Sequence, residues 1–277
     1  MDRTRGYLFF MSRTPHFSTL GSGPTVLMLH GIGGGHLAFA PQLETLAQAG
    51  FRAVSWDMPG YGHSDPIEPY TFKGLAEKCI ALIEGLMHQS SRPGLTLLGH
   101  SMGGMVAQEV IARRPDLVQR LVLCGTSGAF GKPDGEWQQA FVASRMAPLL
   151  AGTTMAELAT TLVPAMAGPK ALPEGLRLAQ HCMAQVSPAT YRRALEALVG
   201  FNRQESLGHI AAPTLLIAGE HDPNAPPKVM QRMAERITGS RYVEFSGIGH
   251  LMNLEAPDEF DQTLIDFLRQ TPPSRMH

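Results

Sequence analysis

The chain has 277 residues, 44% of them hydrophobic and 17% charged; this composition supports one large core and excludes a disordered chain. The formal net charge of −1 leaves no basic field to hold nucleic acid or an acidic membrane surface. Cys79, Cys124 and Cys182 are odd in number and show no C-x-x-C spacing, which predicts reduced thiols in a cytoplasmic protein and not a disulfide framework.

Taken in chain order, the segment from about Tyr7 to Leu20 reads as an antiparallel edge hairpin. Its apolar stretch Tyr7–Met11 is too short for a signal-peptide core, and no later run approaches a membrane span, so neither export nor insertion is expected. Val26–Leu29 is a continuous apolar run and predicts a buried strand that empties into a glycine loop, His30-Gly31-Ile32-Gly33-Gly34-Gly35. A helical pattern covers about Leu37 to Ala49, Ala53–Trp56 predicts the next strand, and Phe72–His88 the next helix. Leu95–Leu98 is a strand, Met105–Ala112 a helix and Leu121–Cys124 a strand. Two late strands, Thr214–Ala218 and Tyr242–Phe245, are followed by helices at Pro226–Ile237 and Pro257–Leu268. Strands apolar on both faces and separated by helices imply a mostly parallel sheet covered on both sides, an α/β fold.

Between about Ser127 and Ser206 the alternation stops. The segment is rich in Ala, Leu and Met, is punctuated by prolines and holds no convincing strand. It reads as a helical cap, residues 127–206, set into a core formed by residues 1–126 and 207–277. The insertion begins at the carboxyl edge of the sheet, where ligands of open α/β sheets sit; a helical extension with no ligand role is the competing reading. Met146, Met155, Met166 and Met183 either pack inside the cap or face a pocket.

The chemistry concentrates on Gly99-His100-Ser101-Met102-Gly103. A G-x-S-x-G sequence between a strand and a helix predicts a sharp turn that lifts the serine hydroxyl above the sheet. A serine hydroxyl is a poor nucleophile until a base takes its proton. The candidate base is His250, just past the last strand, and the candidate orienting acid is Asp222, just past the strand before it. Each lies just past a strand, so all three sit at carboxyl ends of strands, in the chain order Ser, Asp, His. Backbone N–H groups of Met102 and of Ile32 are the expected oxyanion donors, with Gly33 second to Ile32. His100 either lines the site or packs beside the turn. His30 is read as structural, Cys124 as a small buried hydrophobe, and Glu220 and His221 as too close together to replace both partners of the serine. The histidine spacing shows neither H-x-H nor H-E-x-x-H, so no metal is expected. The glycine loop lacks the register of a dinucleotide site, so no cofactor is expected.

On these residues the chain resembles the α/β-hydrolase family, in its cap-bearing esterase, lactonase and C–C hydrolase branch. The matching pieces are His30-Gly31 with its glycine tail, Asp57-Met58-Pro59-Gly60-Tyr61-Gly62-His63-Ser64, Gly99–Gly103, Gly219-Glu220-His221-Asp222 and Gly249-His250. The resemblance implies the α/β-hydrolase fold, a Ser101–His250–Asp222 triad, and loop-organising roles for Asp57 and Ser64. C–C hydrolases of this branch usually carry Asn before the serine and Trp after the histidine. Here those positions hold His100 and Leu251, which demotes that activity. The expected function is a serine hydrolase that needs no cofactor and cleaves a small, largely apolar carboxylic ester or lactone through an acyl-enzyme on Ser101. The alternatives are C–C cleavage, perhydrolysis or acyl transfer by the same triad, or a ligand receptor that keeps the fold. No substrate-binding residue and no oligomeric state follow from the sequence.

Overall fold

The computed structural model describes residues 14–88, 94–130 and 135–272. Within them β1 (Phe17–Leu20), β2 (Thr25–Leu29), β3 (Arg52–Trp56), β4 (Leu95–His100), β5 (Val118–Cys124), β6 (Thr214–Gly219) and β7 (Arg241–Phe245) form one sheet. The spatial order is β1-β3-β2-β4-β5-β6-β7. Only β1 and β3 pair antiparallel; every other neighbouring pair is parallel. The chain winds outward from β2 to β3 and then crosses to the other side of β2 for β4. Ligands of open α/β sheets bind beyond the strand ends at such a reversal, and both the glycine loop after β2 and Ser101 after β4 lie there. Of the expected edge hairpin, Phe17–Leu20 forms β1 on the edge of the sheet; residues 1–13 lie outside the described residues.

Successive strand side chains point to opposite faces, and both faces of this sheet are apolar. Leu27, Leu29, Leu97, Leu121, Leu123 and Leu216 join one core with α2 (Phe72–His88), α3 (Met102–Arg113) and α8 (Pro227–Arg236). Val26, Met28, Leu98, Val122, Leu215 and Ile217 join a second with α1 (Ala40–Gln48) and α10 (Pro257–Gln270). Each such buried side chain contributes about 1.5–3 kcal/mol of transfer free energy. The helix expected from about residue 37 splits into a tight turn, His36–Phe39, and α1, which Pro41 starts and Gly50, at φ 89°, ends.

Among the described residues four α-helices separate β5 from β6: α4 (Glu136–Leu150), α5 (Met155–Met166), α6 (Pro173–Ala184) and α7 (Pro188–Val199). Their starts follow local rules. Thr154 and Glu157 form a reciprocal capping pair, Ser187 accepts the Thr190 N–H, and Pro173 and Pro188 occupy first turns. The insertion is seated against the carboxyl edge of the sheet. A Cβ on Gly175 of α6 would run into the carbonyl oxygen of Leu254, and one on Gly33 would lie 3.5 Å from the Met183 sulfur. Among the described residues no helix is long and apolar enough to cross a membrane.

Candidate active site

Ser101 joins β4 to α3 at φ 53° and ψ −120°, the one non-glycine residue with positive φ among those described. Its N–H donates to the Cys124 carbonyl (2.9 Å), and its carbonyl accepts from Gly104 N–H (2.9 Å) and Thr126 Oγ1 (2.8 Å). With a longer bond from Met105 N–H to the same carbonyl (3.3 Å), four bonds thus hold a conformation that costs on the order of 1–3 kcal/mol. The flanking glycines are a steric requirement: a Cβ on Gly103 would strike the Leu29 carbonyl oxygen, and one on Gly99 would come 2.5 Å from Gly104 Cα.

Asp222 and His250 emerge from the ends of β6 and β7 and meet. His250 Nδ1–H donates to Asp222 Oδ2 at 2.8 Å, with both side chains nearly or fully buried. That bond fixes the tautomer and leaves Nε2 as the ring's proton acceptor. Asp222 Oδ1 accepts the N–H groups of Asn224 (2.8 Å) and Ala225 (2.9 Å). Burial pushes the Asp222 carboxyl up, but the His250 charge and hydrogen bond together with those two amides outweigh it, and the group sits below the usual carboxylate range.

Ser101, His250, His100, Ile32 and Gly33 line a single cavity. The glycine loop presses on the serine: a Cβ on Gly31 would lie 3.0 Å from Ser101 Cβ. Met102 is buried behind the cavity wall at the start of α3. Among the described residues neither the Ile32 nor the Met102 N–H has a hydrogen-bond acceptor. Of the four methionines, Met166 and Met183 line the cavity; Met155 is buried in the core and Met146 packs against it. Glu220 and His221 are exposed, and the Glu220 carboxylate instead holds Ser246 and Gly247. All three cysteines are buried and free.

His100 lines the cavity and also braces it, its Nε2–H donating to the His250 carbonyl at 2.7 Å. Burial pushes its pKa from 6.5 to about 3. His30 is pushed to about 4 by the same cause. It donates from Nδ1 to the Gly31 carbonyl (2.8 Å) and accepts the Met58 N–H at Nε2 (3.0 Å). Both rings are neutral in the fold near pH 7, and both ring nitrogens of His30 are engaged in hydrogen bonds. Once unfolded, each takes up a proton below its free value of 6.5, so stability falls as pH drops from about 6.5 toward 4. Each contributes a slope of about 1.4 kcal/mol per pH unit in that window. Urea midpoints measured across it are expected to fall steadily, and His100→Asn to remove about half of the slope. A flat profile above pH 4.5 would contradict the assignment of these two rings as buried and neutral.

The sequence reading implied a loop-organising role for Asp57 and Ser64 but missed the histidines gathered at Asp57, and it missed Glu255. Asp57, fully buried, accepts from His16 Nδ1 (2.8 Å), His36 Nδ1 (3.0 Å), His36 N–H (2.9 Å) and His63 N–H (3.2 Å), while Ser64 Oγ donates to its carbonyl (2.7 Å). It ties together the loops after β2 and β3. Histidines spread this widely along the chain leave no spacing signal, although His16, His36 and Asp57 bring potential ligand atoms within 4.8 Å of one another. Glu255, also fully buried, accepts the N–H groups of Gly249 (2.7 Å) and Leu251 (2.8 Å), on either side of His250, and of Gly168 (2.8 Å) in the inserted segment. The available signal was a carboxylate in an apolar stretch, Leu254-Glu255-Ala256-Pro257.

The profile of the family described as "alpha/beta hydrolase fold" matches residues 24–257. The chain is 29% identical to the pimeloyl-[acyl-carrier protein] methyl ester esterase of Photobacterium profundum, covering 91% of this chain and 98% of that one. It is 25% identical to the (E)-2-((N-methylformamido)methylene)succinate hydrolase of Acinetobacter baylyi, covering 94% and 96%. Among solved structures it is similar to the enol-lactonase of Burkholderia xenovorans, with a TM-score of 0.79, 26% identity and coverage of 92% and 96%.

Proposed function

The chain belongs to the alpha/beta hydrolase fold family, and from that premise we propose that it is a serine hydrolase acting on a small, largely apolar carboxylic ester or lactone. The observation that carries this reading is the buried Asp222–His250 pair, 2.8 Å apart, opening into the cavity that Ser101 also lines. Ser101 Oγ attacks the scissile carbonyl carbon while His250 Nε2 takes its proton. Asp222 stabilises the imidazolium that results. The tetrahedral oxyanion is held by the N–H groups of Met102 and Ile32, with Gly33 the second choice for the loop donor. His250 then protonates the departing alcohol. A water molecule, deprotonated by the same ring, releases the acid and restores Ser101. In this reading residues 127–206 act as the cap, supplying the apolar wall against which the acyl group is seated.

A panel of short-chain esters and lactones tests the reading, run with and without a fluorophosphonate, and with diketones and peroxide as controls. Ester or lactone hydrolysis is expected, abolished in step with one covalent adduct on Ser101. Turnover untouched by the labelled serine would overturn the reading, and turnover confined to diketones or to peroxide would move it to the corresponding alternative chemistry.

A further inference from the structure

Among the described residues that line the cavity beside Ser101 there is no carboxylate, and one side chain carries a permanent charge: Arg145 of α4. Its guanidinium carbon stands 5.3 Å from the centre of the Phe141 ring, which is itself held by Phe130 and Trp137 at 5.1 and 5.7 Å between ring centres. The aromatic face steadies the cation but accepts no hydrogen bond in the plane of the guanidinium. Among the described residues Arg145 forms no ion pair and no hydrogen bond. Tyr191 of α7 lines the same cavity at 2% exposure, and its hydroxyl also has no partner among the described residues. Burial pushes the Tyr191 phenol up, and the Arg145 charge draws it part of the way back; the hydroxyl therefore stays protonated and able to donate.

Arg145 is half-buried on this largely apolar wall, where a charge-assisted hydrogen bond gains more than it would in open water. Here two unspent donors converge on one cavity, and the guanidinium offers the forked N–H pair that a planar carboxylate accepts with both oxygens. One positive charge balances one negative charge, which favours a carboxylate over a doubly charged phosphate. We propose that Arg145, assisted by Tyr191, selects substrates bearing a free carboxylate away from the scissile carbonyl. The substrate class is then a monoester of a dicarboxylic acid, or a lactone carrying a carboxylate. This deepens the serine-hydrolase reading above and rests on it.

The test compares monomethyl dicarboxylates, from succinate to suberate, with methyl alkanoates of matched length, methyl ω-aminoalkanoates and methyl ω-phosphonoalkanoates. The readout is the ratio of kcat/KM values within one protein, so a partly folded variant does not distort it. Wild type is expected to prefer the carboxylate over the neutral ester by about 10–100-fold, the range of one charged hydrogen-bonded contact, at one chain length. Arg145→Gln brings the ratio near one, mostly through KM; Arg145→Lys restores part of it; Arg145→Glu inverts it toward the amino ester. Tyr191→Phe lowers it several-fold. A wild-type ratio near one, or a ratio unmoved by Arg145→Gln, overturns the proposal, and a stronger preference for the phosphonate overturns the carboxylate assignment. If Ser101→Ala abolishes hydrolysis of every ester in those cases, the serine reading stands and only the Arg145 proposal fails. If Ser101→Ala hydrolyses them at the wild-type rate, both fail.

Discussion

Ser101→Ala is expected to lower ester turnover by about four to six orders of magnitude, the loss typical when a serine triad loses its nucleophile. The fold should not register the change. Alanine carries the same Cβ as serine, so it inherits the same strain at φ 53°. The four bonds that hold the turn use the backbone N–H and carbonyl of residue 101, not its hydroxyl. The variant should therefore unfold within about 0.5 kcal/mol of wild type, bind substrate, and show no fluorophosphonate adduct. Turnover within tenfold of wild type, in a preparation checked by mass for residual serine enzyme, would remove Ser101 from the chemistry. Equal melting with lost turnover is the discriminating pair of results, because it separates a missing reactant from a damaged scaffold.

Glu255→Ala is expected to have the largest effect on stability. The carboxylate is fully buried and receives three backbone N–H groups, from Gly168, Gly249 and Leu251. Removing it strands three donors in a dry interior at about 1–3 kcal/mol each, so a loss on the order of 3–9 kcal/mol follows. Glu255→Gln should lose less, since it keeps the volume and one acceptor oxygen while turning an amide NH2 toward backbone donors. Turnover should fall more than stability alone predicts, because the amides flanking His250 lose their common anchor while the Asp222 bond remains. Urea unfolding, with kcat and KM measured well below the melting range, checks both effects. A loss under 1 kcal/mol for Glu255→Ala would mean that water or a rearranged loop satisfies those donors.

Periodicity and punctuation carried the sheet. Runs such as Val26–Leu29 and Leu215–Ala218 are apolar at every position because both faces of a parallel strand are covered. The candidate site was legible for a related reason: Ser101, Asp222 and His250 each follow the end of a strand, so finding the strand nearly finds the residue. What escaped the sequence depends on closure in space. The Glu255–Gly168 bond joins residues 87 positions apart, and no local pattern announces a carboxylate aimed at distant amides. Helix α9 (Met252–Glu255) has four residues, barely one turn, and shows no periodicity. Of the three histidines gathered at Asp57, His16 immediately precedes β1, whereas His36 and His63 lie in the segments after β2 and β3, so they share no spacing. Arg145 reads as an ordinary solvated charge on a helix until the cavity wall it completes is known.

Ser101, Asp222 and His250 ride on the sheet, whereas most of the apolar wall around them rides on α4 to α7. Drift in those helices can reshape what fits without loosening the strands that carry those three residues. Lineages can thus inherit one machine and retool its mouth. The esterase, the succinate-derivative hydrolase and the lactonase to which this chain is similar, alike in span and different in the compounds they are named for, are the kind of diversity such separability permits.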